Sequence, residues 1–403
     1  MKNNSRQRLG NEGLLNAGAS VICVIIGLIV GFLALCVLSF ITLSKTGEAG
    51  FANVIALAFD SGMKQILKGG FYLPPMGVGR EIVTATALIM CGLSVSFAFK
   101  TGLFNIGAAG QYSLGAFGAL FCAIVLKLPW PVCLIASVVF GALWGLIPGV
   151  LKAYLNINEV ISSIMFNWIG LYGINTIIYG AGHGPMFDAG TTKSYALRAV
   201  NPSALIPSLG LNVVFKNRSS TIAIFIAIVM AFVIHILMNK TVFGFELKGV
   251  GSNRDAARYA GINEKKSIML SMMIAGALAG LGGGLYYLSG AAEWSPLDSS
   301  ALPAVGFDGI AVALLASSSP IGNIFSAFLI SHIKTGGSFM NANVFPPEIA
   351  TFISGIIIYL CAFVLLFKSA LIKLFVRTTQ EEEAEQMGEP PQTPVSEESA
   401  KEA

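Results

Sequence analysis

Of the 403 residues, 55% are hydrophobic and only 11% charged, which is too few charges to cover a soluble globule of this size. The chain therefore reads as a polytopic membrane protein, all-α, built as a transmembrane helical bundle. The net charge of +4 hides a division: residues 1–380 carry +11, which suits a body among anionic lipids, and the last 23 residues hold eight glutamates and one lysine.

Lys2, Arg6 and Arg8 mark a cytoplasmic N-terminus over 1–13, ahead of an apolar run from Leu14 to Leu43. That run is too long for a signal-peptide core and is expected to stay as a first span. In residues 45–80, Phe51, Val54, Ile55, Ala58, Phe59, Met63, Ile66 and Leu67 recur at helical spacing among polar positions, the pattern of an interfacial amphipathic helix. Spans are expected at 82–99, 103–126, 130–151 and 159–180, followed by a long polar loop at 181–219 and a span at 220–238. A charged segment, 248–262, leads to span 267–289, two short elements at 301–318 and 320–333 broken by Pro320 and Gly322, and a last span at 349–367. The count is ten crossings if both short elements cross and eight if they form a re-entrant pair. The transmembrane body is thus 14–380, and the Pro-containing acidic tail at 381–403 reads as disordered and cytoplasmic.

The segment 248–262 is compact and charged between apolar runs. Ser252 and Asp255 have capping-box spacing, so a helix is expected to start at Asn253. It would carry Arg254 and Arg258 at i, i+4, with Ala256, Tyr259 and Ala260 on another side. Gly261 supplies a left-handed stop, and Asn263 caps the next helix.

With the N-terminus inside, the inner segments hold 14 lysines and arginines and the outer ones 10, so both termini and the charged helix are placed on the cytoplasmic side. Spans 82–180 and 267–367 then form two four-segment halves of opposite starting side, each with an irregular second segment. That is the arrangement of an inverted repeat with its substrate path at the interruptions.

Rows of glycine, 141/145/149 and 276/280/284, are small-x-x-x-small packing seams. The polar residues within spans divide between a solute path and plain packing. Glu159, Ser163 and Asn167 make a stripe within about 80° of one helix face, and interhelical hydrogen bonding explains it as well as a substrate-facing role does. Asn105 and Gln111 stand at the start of the glycine-rich second span, where amides either read a polar solute or cap helices. Asp308, after Phe307 in Gly306-Phe-Asp-Gly309, is an intramembrane carboxylate. As an ion site it would point to an ion-coupled secondary transporter, whereas with no partner base in sight it reads better as accepting from a helix N-terminus. Six cysteines in apolar runs and three scattered histidines form no metal constellation. The chain has no phosphate-binding loop, no Gly-x-Ser-x-Gly and no His-Glu-x-x-His, so it offers no basis for an enzyme and no cofactor site of its own.

Four stretches carry a resemblance: Gly92 to Gln111, Asn158 to Asn167, Gly251 to Gly261, and Gly306 to Leu315. Together they resemble signature stretches of bacterial ABC-importer permeases of the branched-chain amino acid, simple sugar and nucleoside group, nearest the guanosine-type branch. The resemblance covers residues 80–367. It implies a multi-pass protein of the bacterial cytoplasmic membrane with a second, homologous permease subunit. It further implies separate ATPase subunits that bind ATP and Mg, an extracytoplasmic binding (lipo)protein, and no nucleic-acid partner. In it, the helix of Ser252, Asn253, Arg254, Asp255, Ala257, Arg258, Tyr259 and Gly261 is the coupling helix docking the ATPase. The path would use Asn105, Gln111, Ser163, Asn167, Phe307 and Asp308. With Asp308 and edge-placed Glu159 as the acids and no cation deep in a span, a neutral polar solute is expected, a nucleoside or alternatively a simple sugar.

Overall fold

The computed structural model describes residues 2–47, 50–179, 184–295, 301–346 and 348–361; the acidic tail at 381–403, the rest of the last expected span and loop residues 180–183 lie outside them. The chain is a helical bundle. Helix α1 (Lys2–Thr46) contains the first expected span and extends it through the basic N-terminus. A broken run follows, α2 (Phe51–Ala58) and α3 (Lys64–Lys68) joined by a π turn. Its Ala58, Met63 and Ile66 pack on Leu35 of α1 and on Ile333, Phe345 and Ile353, while Phe51 stays exposed.

Next come α4 (Met76–Lys100), α5 (Ala108–Ile124), α6 (Trp130–Leu155) and α7 (Glu159–Tyr179). The loop beyond α7 is ordered over its described residues. It forms a two-stranded antiparallel ribbon, β1 (Phe187–Asp188) and β2 (Lys193–Ser194), then α8 (Leu197–Val200) and α9 (Leu211–Val214). It is tied down by backbone hydrogen bonds from Ser194 to Trp294 and from Ile206 to Leu288, and by Asn201 Nδ2 donating to the carbonyls of Ala123 and Leu128. A polar sequence therefore forms a pinned cap, because its backbone groups find partners on helix ends.

The second half contains α10 (Ala223–Lys240), α11 (Val242–Ser252), α12 (Arg254–Tyr259), α13 (Glu264–Leu288), α14 (Ala304–Leu315), α15 (Gly322–Gly337) and α16 (Glu348–Cys361). Among the described residues six helices, α1, α4, α6, α7, α10 and α13, are long and apolar enough to cross a membrane. At 12 residues α14 is about 18 Å long, shorter than a hydrocarbon core of about 30 Å, so it does not cross by itself.

Helices α4 and α13 form the centre, and every residue of α4 from Ala85 to Ala98 is buried, as expected of a helix that is apolar all round. The two run antiparallel: Ser94 Oγ donates to the Ala275 carbonyl at 2.6 Å, and Met90 lies against Gly282. Packing is exchanged between halves. Helix α13 lies against α5 and α6, while α4 lies against α14 and α15. Equivalent helices that run antiparallel and swap neighbours fit the inverted repeat.

Glycine sets the closest seam. Gly141 and Gly145 face Gly276 and Gly280, with Gly115 on the backbone of Gly280, so a methyl group at any of these would collide with main chain. No disulfide joins Cys23, Cys36, Cys91, Cys122 and Cys133.

Candidate functional site

The short helices α5 and α14 begin next to each other, with Gly306 packed directly on the backbone of Ala109. Around these two starts lie the polar residues read from the sequence. Gly107, the residue before α5, has no side chain to cap it, and Asn167 of α7 does so from across the bundle. Its Oδ1 accepts from the Gly110 N–H at 2.8 Å, and its Nδ2 donates to the Ile106 carbonyl at 3.0 Å.

Asn105 and Gln111 bond to each other twice, with Asn105 Nδ2 to Gln111 Oε1 at 2.7 Å and Gln111 Nε2 to Asn105 Oδ1 at 3.0 Å. Asn105 also donates to Ser94 Oγ at 2.9 Å, so the two amides and Ser94 tie the 101–107 loop to α4 and α13. All three are fully buried. Ser163 Oγ, buried beside Gly107, has no hydrogen-bond partner among the described residues. Glu159, first in the stripe, is bound to Lys152 at 2.9 Å across the α6–α7 turn.

A cavity of about 520 Å³ lies against these residues, lined by Ile106, Ile164, Asn167, Trp168, Leu302 and Phe307. Its open side is the face where Ile164 and Phe307 are about 40% exposed. The structure thus brings Asn167 and Phe307 to one groove and keeps Asn105 and Gln111 in the layer behind it. Asp308 points the other way. Its carboxylate receives Lys334 Nζ of α15.

This pair corrects two readings. Asp308 has a partner base instead of a helix N-terminus, and the bundle does contain a cation, since Lys334 reaches inward although its position suggests an outer loop. A contact over 26 residues leaves no periodic trace in sequence, and a long lysine at the end of a short helix can be buried along its stem. Arg80 and Tyr286, which line a second cavity beside Lys334, are likewise absent from the sequence reading.

At the other pole of the bundle, α12 is the expected charged helix, with one correction. Its cap is Asn253, in extended conformation, whose Oδ1 accepts from Ala256 N at 3.0 Å; Ser252 is the last residue of α11. Asparagine prevails because its carbonyl reaches the third N–H, and Ser252 is already committed to the preceding helix. Gly261 has φ +80° and stops the turn, and Asn263 caps α13 by accepting from Lys266 N at 3.1 Å. Ala257 is buried beneath α12, and Tyr259 is 94% exposed. Arg254, half-buried, and Asp255, exposed, begin the helix. Arg258 donates to Glu264 at 2.6 Å, and that bond holds the guanidinium pKa above its usual value. The segment is linked to the amide layer, because Gly251 at the end of α11 packs on the backbone of Thr101 and Gly102.

Among the described residues no group of histidine, cysteine and acidic side chains could hold a metal ion.

Residues 78–362 match the family described as branched-chain amino acid transport system / permease component. The nucleoside ABC transporter permease protein NupB of Lactococcus lactis subsp. cremoris (strain MG1363) is 38% identical over 290 residues, covering 71% of this chain and 79% of that one. The guanosine ABC transporter permease protein NupP of Bacillus subtilis (strain 168) is 37% identical over 290 residues, covering 71% and 80%. The glucose ABC transporter permease protein TsgB13 of Haloferax volcanii is 30% identical over 268 residues, covering 65% and 69%. No solved structure matches the chain. The match over most of the bundle, with relatives at this identity, makes this chain a member of that permease family, a multi-pass membrane component of ABC importers.

Proposed function

We propose that the solute is a nucleoside and that α12 couples the permease to ATPase subunits on the cytoplasmic side. The observation that carries the substrate is similarity to two nucleoside-type permeases over 71% of the chain. The groove agrees with it, since Trp168 and Phe307 offer aromatic faces, with no charged side chain among its described lining residues. The cation revealed at Lys334 does not alter this, because Asp308 neutralises it and a charged cargo would still lack a counter-charge in the groove. The ion-coupled alternative finds no support in a carboxylate already committed to a lysine.

In the assembled importer a second permease subunit would close the open face of the groove. ATPase subunits carrying ATP and Mg would receive α12, with its exposed Tyr259 and its capped, stopped ends. An extracytoplasmic binding protein, a lipoprotein in the simplest case, would deliver solute from the opposite side. In this arrangement both termini would lie in the cytoplasm and the chain in the bacterial plasma membrane. A simple sugar is the second reading, favoured by the 30% identical glucose permease.

The test is uptake of labelled guanosine, ribose and leucine by cells with and without the gene. Loss of guanosine uptake alone is expected; loss of ribose or leucine uptake with guanosine retained would overturn the proposal.

A further inference from the structure

At the ends of α4 and α13 remote from the Gly102–Gly251 contact lies the second cavity, of about 420 Å³, lined by Arg80, Thr84, Asn217, Tyr286, Lys334 and Ser338 among others. The volume is within the roughly 300–1,000 Å³ of small-molecule sites. Arg80 is exposed in it. Its guanidinium lies 5.9 Å from the Phe339 ring and forms no ion pair among the described residues, so its fork of donors is open to a ligand. Lys334 lines the cavity and also holds Asp308, whose chain neighbour Phe307 lines the groove. The ion pair therefore borders the cavity directly and is one residue removed from the groove lining. Beside it a buried cluster of Ala87, Cys91 and Tyr112, with Tyr286, Tyr287 and Val305 against it, fills the gap between them.

We propose that this cavity is the receiving site for the solute, a neutral purine-type nucleoside, with the Lys334–Asp308 pair as its floor. The inference rests on the nucleoside reading above and names where the ring is first held. A guanidinium offers two parallel donors, which match the adjacent ring-nitrogen and carbonyl acceptors of guanine. The Tyr286 ring supplies a stacking face, and Asn217, Thr84 and Ser338 supply partners for ribose hydroxyls. An anion would be held by the unpaired Arg80 guanidinium and would not pass on. The floor is a barrier because separating a largely buried ion pair leaves two charges uncompensated. The hydroxyls and carbonyl of the solute can hydrogen-bond both ends as it descends towards the groove.

The experiment uses the whole importer in cells, with membrane levels checked. Ser338→Cys, exposed at the cavity rim, is treated from outside with a small polar thiol reagent, and the unsubstituted chain receives the same treatment. Labelling is expected to lower guanosine uptake at least tenfold over that background, and excess guanosine is expected to slow the labelling. Arg80→Ala should lower uptake about tenfold at subsaturating guanosine, with Arg80→Lys failing to restore it. Gene-dependent guanosine uptake that survives labelling, or survives Arg80→Ala, overturns the receiving site while leaving the nucleoside reading intact. Guanosine uptake that does not depend on the gene overturns both.

Discussion

Gly102 and Gly251 meet backbone to backbone. Gly102 has φ +71°, a conformation open to glycine, and an added methyl on either residue would strike the other's main chain. The contact lets α11 and the following α12 bear directly on the 101–107 loop, which the Asn105–Gln111 bonds tie to the start of α5. Movement of α12 against an ATPase would thereby reach the helix start beside the groove without a long chain of side chains. Gly251→Ala, where φ is not positive and the effect is purely steric, should lower uptake at least tenfold while membrane levels hold. Immunoblotting beside the uptake assay checks it, and full activity would show that the contact transmits nothing.

Tyr259 has no packing role in the single chain, being 94% exposed. Tyr259→Ala should leave the melting temperature of the detergent-solubilised permease unchanged and abolish solute-stimulated ATP hydrolysis in the assembled importer. Arg258→Glu should likewise abolish the stimulation, and because it exchanges the ion pair with Glu264 for repulsion it should also lower the melting temperature slightly. Preserved stimulation in both variants would remove α12 from the coupling interface.

The buried amide pair should behave as a structural knot. Asn105→Ala removes the partner of Gln111 and a donor to Ser94, leaving buried polar atoms unsatisfied at a cost of about 1–3 kcal/mol. Thermal unfolding in detergent is expected to shift down accordingly, and Gln111→Ala should give a similar shift. Because the two side chains share their bonds, the double variant should cost less than the sum of the single ones.

Ser163 should separate the two explanations of the polar stripe. Its hydroxyl is buried without a hydrogen-bond partner among the described residues, so Ser163→Ala should not lower stability. A fall in uptake at unchanged stability is expected if the hydroxyl serves the solute passing the adjacent groove. Unchanged uptake would assign Ser163 to packing alone.

Gly280 sits between α5 and α6, against Gly115 and Gly141. Gly280→Leu should force both helices away from α13, at a cost of at least about 3 kcal/mol, and should be seen as loss of the folded species in size-exclusion chromatography. Gly173→Leu, where an added Cβ meets nothing within 4 Å, should elute as the unsubstituted chain does.

The amino-acid sequence by itself determined the helical membrane class, the positions of the long helices, the glycine seams and the charged helix with its left-handed stop at Gly261. Each of these is written in local composition or in a 3.6-residue period, and a solvent of lipid leaves helices as the only local way to satisfy the backbone. The two-half organisation was also legible, through the paired irregular segments at Gly107–Gly118 and Gly306–Gly309. The tertiary structure decided what the polar side chains do. Hydrogen-bond partners such as Asn167 with Gly110, or Lys334 with Asp308, lie 26 to 57 residues apart, and no periodicity links residues on different helices. It also chose Asn253 over Ser252 as the cap, because only the fold shows where α11 ends. It turned the polar loop after α7 into a pinned cap, since the carbonyls that accept from Asn201 belong to the α5–α6 corner. Cavities, likewise, belong to the spacing between helices and to no single stretch of chain.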